Sequence, residues 1–345
     1  MDSRQQALQT WLVKVLQKEN FTLTPASSDA SFRRYFRIHF IINPSHENDS
    51  ESSQEGGIKE MTLIAMDAPP PQEDCRPFVK VAQQLLAAGL NVPQIIAQDV
   101  EQGFLVLGDL GSDTYLSKLN LKTAPNLYKD ATNALIKMQF ASQPNVLPEY
   151  DEVLLTREMQ LFPDWYIAKH LGVSLNEVQQ KTLNKTFAVL NQNILAQPKV
   201  VVHRDYHSRN LMVTEVNNPG ILDFQDAVYG PITYDLVSLL KDAYIAWEEE
   251  EIIDWAVRYW QTAKKAGLPM PDDFSEFYRD FEWMGAQRHI KVLGIFARLY
   301  YRDGKDGYLK DMPLVMNYLR KVCERYVELR PMLRLLNELE SPKSA

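Results

Sequence analysis

Leu8, Trp11, Leu12, Val15 and Leu16 recur at the three- and four-residue spacing of one helical face, behind Asp2 and Ser3, which suit a helix cap. The pattern predicts an opening amphipathic helix. From Phe21 to about Leu110 the texture changes to short β-favouring runs, FRRYFRIHFII, MTLIAM and GFLVLGDL, separated by turn residues, which predict a small sheet. Between the last two, Phe78, Val81, Ala82, Leu85 and Leu86 form one apolar stripe ending at Gly89, so a helix over 75–88 is expected to pack on that sheet. After GDLGSD, helical periodicity runs to the end of the chain, interrupted near 200–226 by the β-like stretches VVHRD and GILDF. An α+β chain follows, with a β-rich N-terminal lobe over 1–108 and a larger, mainly helical lobe over 109–345. Residues 43–60, NPSHENDSESSQEGGIKE, have no apolar periodicity to bury and are expected to form a mobile hairpin insertion in the first lobe.

Length agrees with two lobes, since 345 residues exceed what one hydrophobic core usually serves. The net charge of -8 gives no general attraction to nucleic acid or to an anionic membrane surface. The first twenty residues lack the basic start and apolar run of a signal peptide, and no stretch is apolar enough to span a bilayer. Cys75 and Cys323 have neither a paired nor a zinc-binding spacing. A cytoplasmic protein with no nucleic-acid, membrane or obligate protein partner is expected.

The chemistry concentrates in VVHRDYHSRNLMV at 201–213 and GILDFQD at 220–226. The first brings His203, Arg204 and Asp205 to a loop, with Asn210 five positions after Asp205; the second carries Asp223 out of an apolar pair. Phosphoryl transfer asks mainly for an acceptor hydroxyl held in line and for charge on the phosphates to be neutralised. Asp205 suits the first task as base or orienting carboxylate, and oxygens of Asn210 and Asp223 suit the hard ion Mg²⁺. The same residues also admit a structural reading, a loop ion pair and a turn cap. His203 is expected to support the loop, and His207 either to touch substrate or to lie in solvent.

His203-x-Asp205-x4-Asn210 followed by Asp223-Phe224-Gln225-Asp226 resembles the catalytic and metal loops of the protein kinase and aminoglycoside phosphotransferase superfamily. ASFRRYFRI, MDAPPPQED, LVLGDLG, REMQLFPDWYIAKHLG, GPITYDLVSLLKDAY and QRHIKVLGIFARLYYRDGK extend the likeness over most of the chain. Together they resemble the bacterial anomeric kinases of N-acetylmuramate and N-acetylglucosamine in cell-wall recycling. The resemblance implies a two-lobed protein-kinase-like fold, ATP and Mg²⁺, and transfer of the γ-phosphate to the anomeric hydroxyl. It also implies a turn over the phosphates at 28–34, with Ser31, Arg33 and Arg34, and a hinge for adenine at Leu107, Asp109 and Leu110. An aspartate placed as Asp235 is implied to brace the catalytic loop. Two departures stand out: the turn has no glycine, and the third strand carries Met66 or Asp67 where related enzymes place a phosphate-binding lysine.

For the acceptor, Glu158, Trp165 and Tyr166 offer a carboxylate and aromatic faces suited to a sugar ring, against the alternative of core aromatics and a surface acid. Gln287, Arg288, His289 and Lys291 read as a polar cluster opening an apolar helix from Val292 to Leu299. Arg288 or Lys291 is expected to read the lactyl carboxylate of N-acetylmuramate, against the alternative of a solvated face. A kinase of another small metabolite or of aminoglycosides, and a pseudokinase scaffold that binds nucleotide without turnover, remain as competing functions.

Overall fold

The computed structural model describes residues 2–28, 32–42 and 59–340. Ser31 and residues 43–58 of the expected insertion lie outside the described residues, whereas Lys59 and Glu60 begin a strand. The chain falls into two compact units, Met1–Ser112 with Gly220–Gln225, and Asp113–Pro219 with Asp226–Ala345. The first break therefore comes four residues after 108, and the short segment containing Asp223 joins the first unit.

The first unit opens with α1 (Ser3–Leu16), where the Asp2 carboxylate accepts from the Gln5 N–H at 2.6 Å. It caps the helix as its side-chain chemistry predicts. An antiparallel sheet follows, made of β1 (Thr22–Ser28), β2 (Arg34–Ile42) and β3 (Lys59–Asp67), then α2 (Arg76–Ala87), then β4 (Ile95–Asp99) and β5 (Phe104–Gly108). The strand order is β1-β2-β3-β5-β4. Leu8, Trp11 and Leu12 pack with Ile38, Phe40, Leu63, Ala65, Phe104 and Val106, so α1 closes one face of the sheet by burying the alternate positions of three strands. Gly89 ends the turn after α2 with φ +74, the left-handed conformation that glycine adopts without a Cβ clash.

The second unit runs through α3 (Tyr115–Lys118), α4 (Ala124–Phe140) and α5 (Glu152–Met159) to a π-helical segment, Phe162–His170. Then come α6 (Glu177–Ala196), β6 (Lys199–Val202) and β7 (Leu211–Met212); β8 (Gly220–Ile221) belongs to the first unit. β9 (Val228–Pro231), α7 (Tyr234–Leu240), α8 (Glu249–Lys265), α9 (Phe274–Tyr301), α10 (Met312–Arg325) and α11 (Arg330–Glu340) complete it. At its centre lies α9, a helix of 28 residues that is buried almost continuously from Phe281 to Leu299. The polar cluster 287–291 therefore sits in mid-helix and does not open a helix at 292. It is buried, not solvated.

Close packing on α9 depends on Gly294. A Cβ there would stand 2.6 Å from the Leu161 carbonyl oxygen, at the start of the π-helical segment. Gly294→Ala is expected to lower unfolding stability by about 1–3 kcal/mol through overpacking, read as a shifted urea midpoint. An unchanged midpoint would show that the two helices separate without loss.

Candidate active site

The loop after β6 is held open by its own backbone and by two buried carboxylates. Val200 and Val202 are buried on β6, which pairs with β9 from Lys199↔Pro231 to Val202↔Val228. Beyond Val202 the chain leaves the sheet, and Asp235 in the first turn of α7 accepts from the backbone N–H of His203 at 2.6 Å and of Arg204 at 3.0 Å. This is the brace implied for Asp235. Burial pushes its pKa up to about 7, against the two backbone donors that favour the charged form. Asp242 performs the same service farther along, accepting from the Ser208 N–H at 2.9 Å.

His203 is buried, and its Nδ1 accepts from the Asp205 N–H at 3.2 Å, so it supports the loop as expected. Arg204 is held at φ +76, a conformation costly for a residue with a Cβ, and its guanidinium is fixed by the Glu158 carboxylate. Tyr206 turns inward and donates to the Ala131 carbonyl at 2.9 Å. Asn210 closes the loop: its side-chain amide donates to the Asp205 carbonyl at 3.1 Å, which turns its oxygen away from that bond. The Asp205 side chain is thereby presented between residues that are each anchored elsewhere.

Electrostatics keep Asp205 charged. Burial would raise its pKa, but Lys291, His207, Arg288 and Arg204 together outweigh burial and hold it below the usual 3.8. An ionised carboxylate is what accepting or orienting a hydroxyl proton requires. His207 shifts the other way, since burial lowers its pKa and favours the neutral ring; it packs edge-on to Tyr244 with centroids 5.4 Å apart. Its Nδ1 is buried without a partner among the described residues.

The acceptor-side expectations divide. Glu158 is 5% exposed and receives the Tyr150 hydroxyl, the Arg204 guanidinium and, at 3.1 Å, the Lys291 ammonium. It is thus the hub of an ion-pair network and not a free surface acid. Lys291 also donates to the Tyr234 hydroxyl at 2.9 Å. Tyr166 is buried, stacked on Phe162 at 5.0 Å, and belongs to the core, whereas Trp165 in the same π-helical turn is half-buried. Arg288 is 3% exposed, and its Nε and Nη1 have no hydrogen-bond partner among the described residues. Tyr150, Tyr234 and Asp242 complete these networks, and sequence reasoning assigned none of them a site role.

In the first unit, Asp223 stands at φ +62, and the Gln225 side chain donates to its Oδ1 at 2.8 Å. Phe224 is fully buried against Phe78 of α2, centroids 4.7 Å apart, which pins the segment. Leu107 is buried and bound in the sheet between Ile64 and Ile95, while Asp109 and Leu110 follow the strand half-buried. Asp109 is gripped by Arg37 at 2.6 and 3.1 Å and accepts from the Gly111 N–H, a turn lock that sequence reasoning did not foresee.

The expected phosphate cations have carboxylate partners in the first unit. Arg34 donates twice to Asp67, at 3.0 and 2.6 Å, and once to Asp2 at 2.5 Å; Arg4 donates to the same Asp67 at 2.9 Å. Asp67 is fully buried, so these two guanidiniums balance a charge that the sheet end would otherwise leave unpaired. Arg33 faces Glu73 at 3.7 Å. Asn210 and Asp223 supply oxygens of the kind Mg²⁺ takes. No cluster of three His, Cys, Asp or Glu side chains suited to a metal occurs among the described residues.

Comparison with known proteins identifies the family. Residues 22–273 match the model of the phosphotransferase enzyme family. A protein of Neisseria meningitidis named N-acetylmuramate/N-acetylglucosamine kinase is 49% identical over 340 residues, covering 97% of this chain and 96% of its own. A protein of the same name from Pseudomonas aeruginosa is 48% identical over 349 residues, covering 98% and 97%. Among solved structures, an ADP-bound aminoglycoside phosphotransferase superposes with a TM-score of 0.56 at 13% identity, covering 93% of this chain and 99% of its own. The α+β architecture is that of this fold, and the chain belongs to the phosphotransferase enzyme family, within the group of N-acetylmuramate/N-acetylglucosamine kinases.

Proposed function

We propose that the chain transfers the γ-phosphate of ATP to the anomeric hydroxyl of N-acetylmuramate and N-acetylglucosamine, giving the sugar 1-phosphate in the recovery of cell-wall amino sugars. One observation carries the reading: an aspartate presented by a doubly braced loop, in a chain that matches relatives of that name over 97% of its length. Asp205 orients the acceptor hydroxyl and takes its proton as the bond to phosphorus forms. Asn210 and Asp223 hold Mg²⁺, which neutralises charge on the phosphates when bound. Leu107, Asp109 and Leu110 meet the adenine, and Trp165 and His207 border the sugar. The work is done in the cytoplasm, without an obligate protein partner.

The charge around Asp205 argues against aminoglycosides as acceptors. Arg288 acts on Asp205 and makes no ion pair among the described residues, so a polycationic antibiotic would meet a cation without a counter-charge there. A pseudokinase has no need of the whole set Asp205, Asn210 and Asp223 in one chain. The test is to incubate the protein with ATP, Mg²⁺ and a panel of the two sugars, aminoglycosides and choline, and to identify the product by phosphorus NMR. The expected product carries phosphate coupled to the anomeric proton of the sugar. Phosphate on another hydroxyl, or transfer only to a non-sugar acceptor, rejects the reading.

The metal assignment has its own test. Asp223→Ala is expected to weaken Mg²⁺-dependent ATP binding by about 10- to 100-fold, the scale on which lost charged contacts of 1.5–3 kcal/mol appear. Titration calorimetry with and without Mg²⁺ measures it. Equal affinity in variant and wild type removes Asp223 from the metal.

A further inference from the structure

Four cations act on Asp205 or flank it in the second unit, and three of them are accounted for. Arg204 is held by Glu158, and Lys291 is balanced by Glu158 at 3.1 Å with a further bond to Tyr234. Arg209 lies flat over the Tyr244 ring, its guanidinium carbon 3.5 Å from the centroid, and faces Asp311 at 3.9 Å. Arg288 differs from all three. It is 3% exposed, makes no ion pair among the described residues, and leaves Nε and Nη1 without partners. It lies three residues before Lys291, on the same face of α9, and its charge acts on Asp205, His207, Asp235 and Tyr244.

A buried guanidinium without acceptors is unfavourable, because it has lost water and gained nothing in return. Such a group is stabilised when a ligand brings the missing anion, and the planar fork of arginine fits a carboxylate better than any other side chain does. The two sugars named for the relatives differ in that respect: N-acetylmuramate carries a lactyl ether ending in a carboxylate, and N-acetylglucosamine carries a hydroxyl at that place. Of the two candidates raised by the sequence, Lys291 already has an ion-pair partner and Arg288 has none among the described residues.

We infer that Arg288 alone reads the lactyl carboxylate of N-acetylmuramate and sets the preference between the two sugars. The inference rests on the proposed sugar-kinase reading and goes beyond it by assigning the discrimination to one side chain. A guanidinium that merely keeps Asp205 ionised would serve both sugars alike. One that binds the transferred phosphate would act through ATP.

These roles separate in kinetics. In Arg288→Gln, kcat/KM for N-acetylmuramate relative to that for N-acetylglucosamine is expected to fall about 100-fold, mainly through KM for N-acetylmuramate, with partial recovery in Arg288→Lys. In wild-type protein, the methyl ester of N-acetylmuramate is expected to lose the same advantage, which tests the contact without any mutation. Equal losses on both sugars, a rise in KM for ATP instead, or an ester that binds as well as the free acid would each overturn the assignment. Should the wild-type protein phosphorylate neither sugar, the sugar-kinase reading itself fails; if it phosphorylates both and the ratio is unmoved in Arg288→Gln, only the present inference does.

Discussion

Asp205→Asn is expected to lower turnover by about 10²- to 10⁴-fold, the range over which a positioned acid-base group acts, while ATP binding stays within about a factor of three of wild type, a difference of less than 1 kcal/mol. Asparagine preserves the shape of the side chain, and the loop is held by other atoms: Asp235 on the His203 and Arg204 N–H groups, and the Asn210 amide on the backbone carbonyl of residue 205. What changes is the charge. The carboxylate is ionised at neutral pH because Lys291, Arg288 and Arg204 prevail over burial, so wild-type activity should show no acid limb from Asp205 above about pH 4, near its unperturbed value. Single-turnover measurements with saturating ATP and sugar separate this loss from binding. Turnover within tenfold of wild type would remove Asp205 from the chemistry.

The loop was legible because its residues are close in sequence. His203, Asp205, Asn210 and Asp223 fall within 21 positions, and their chemistry is stated by residue type and spacing. Asp235 was legible as a brace only through the resemblance, since nothing in GPITYDL announces where its carboxylate will point. The failures have a common cause, a partner far along the chain. The Arg34 ion pair was not foreseen because Asp67 stands 33 positions away, and Arg4, which shares that aspartate, stands 63 away. The QRHIK cluster read as the exposed start of a helix because polar residues in mid-helix are normally solvated. Here Lys291 is buried by virtue of Glu158, 133 positions earlier on α5, and Tyr234 on α7. β1 and β4 were missed for another reason. They are the two edge strands of the sheet, and TLTPASS and IIAQD have the short, half-polar character that edges tolerate and central strands do not.

Glu158→Gln is the substitution expected to affect folding most. The carboxylate is 5% exposed and stands between the Arg204 guanidinium and the Lys291 ammonium, with the Tyr150 hydroxyl on its second oxygen. Glutamine keeps the volume and one acceptor but leaves two buried cations without a counter-charge. Breaking a buried pair from one side costs about 3–5 kcal/mol, and the urea midpoint should fall accordingly. The pH dependence identifies the cause. Burial alone would raise the Glu158 pKa, yet Lys291, Arg204 and the hydrogen bonds hold it below the ordinary 4.5. Its stabilising effect is therefore fully present above pH 4.5 and is lost as pH falls through the lowered folded value. The gap between wild type and Glu158→Gln should be widest at neutral pH and close in acid. The double variant Glu158→Gln/Lys291→Met should recover part of the loss, because one of the two stranded charges is then gone. A single variant as stable as wild type at pH 7 would mean that water reaches these cations, and the network could not be what fixes Arg204 next to Asp205.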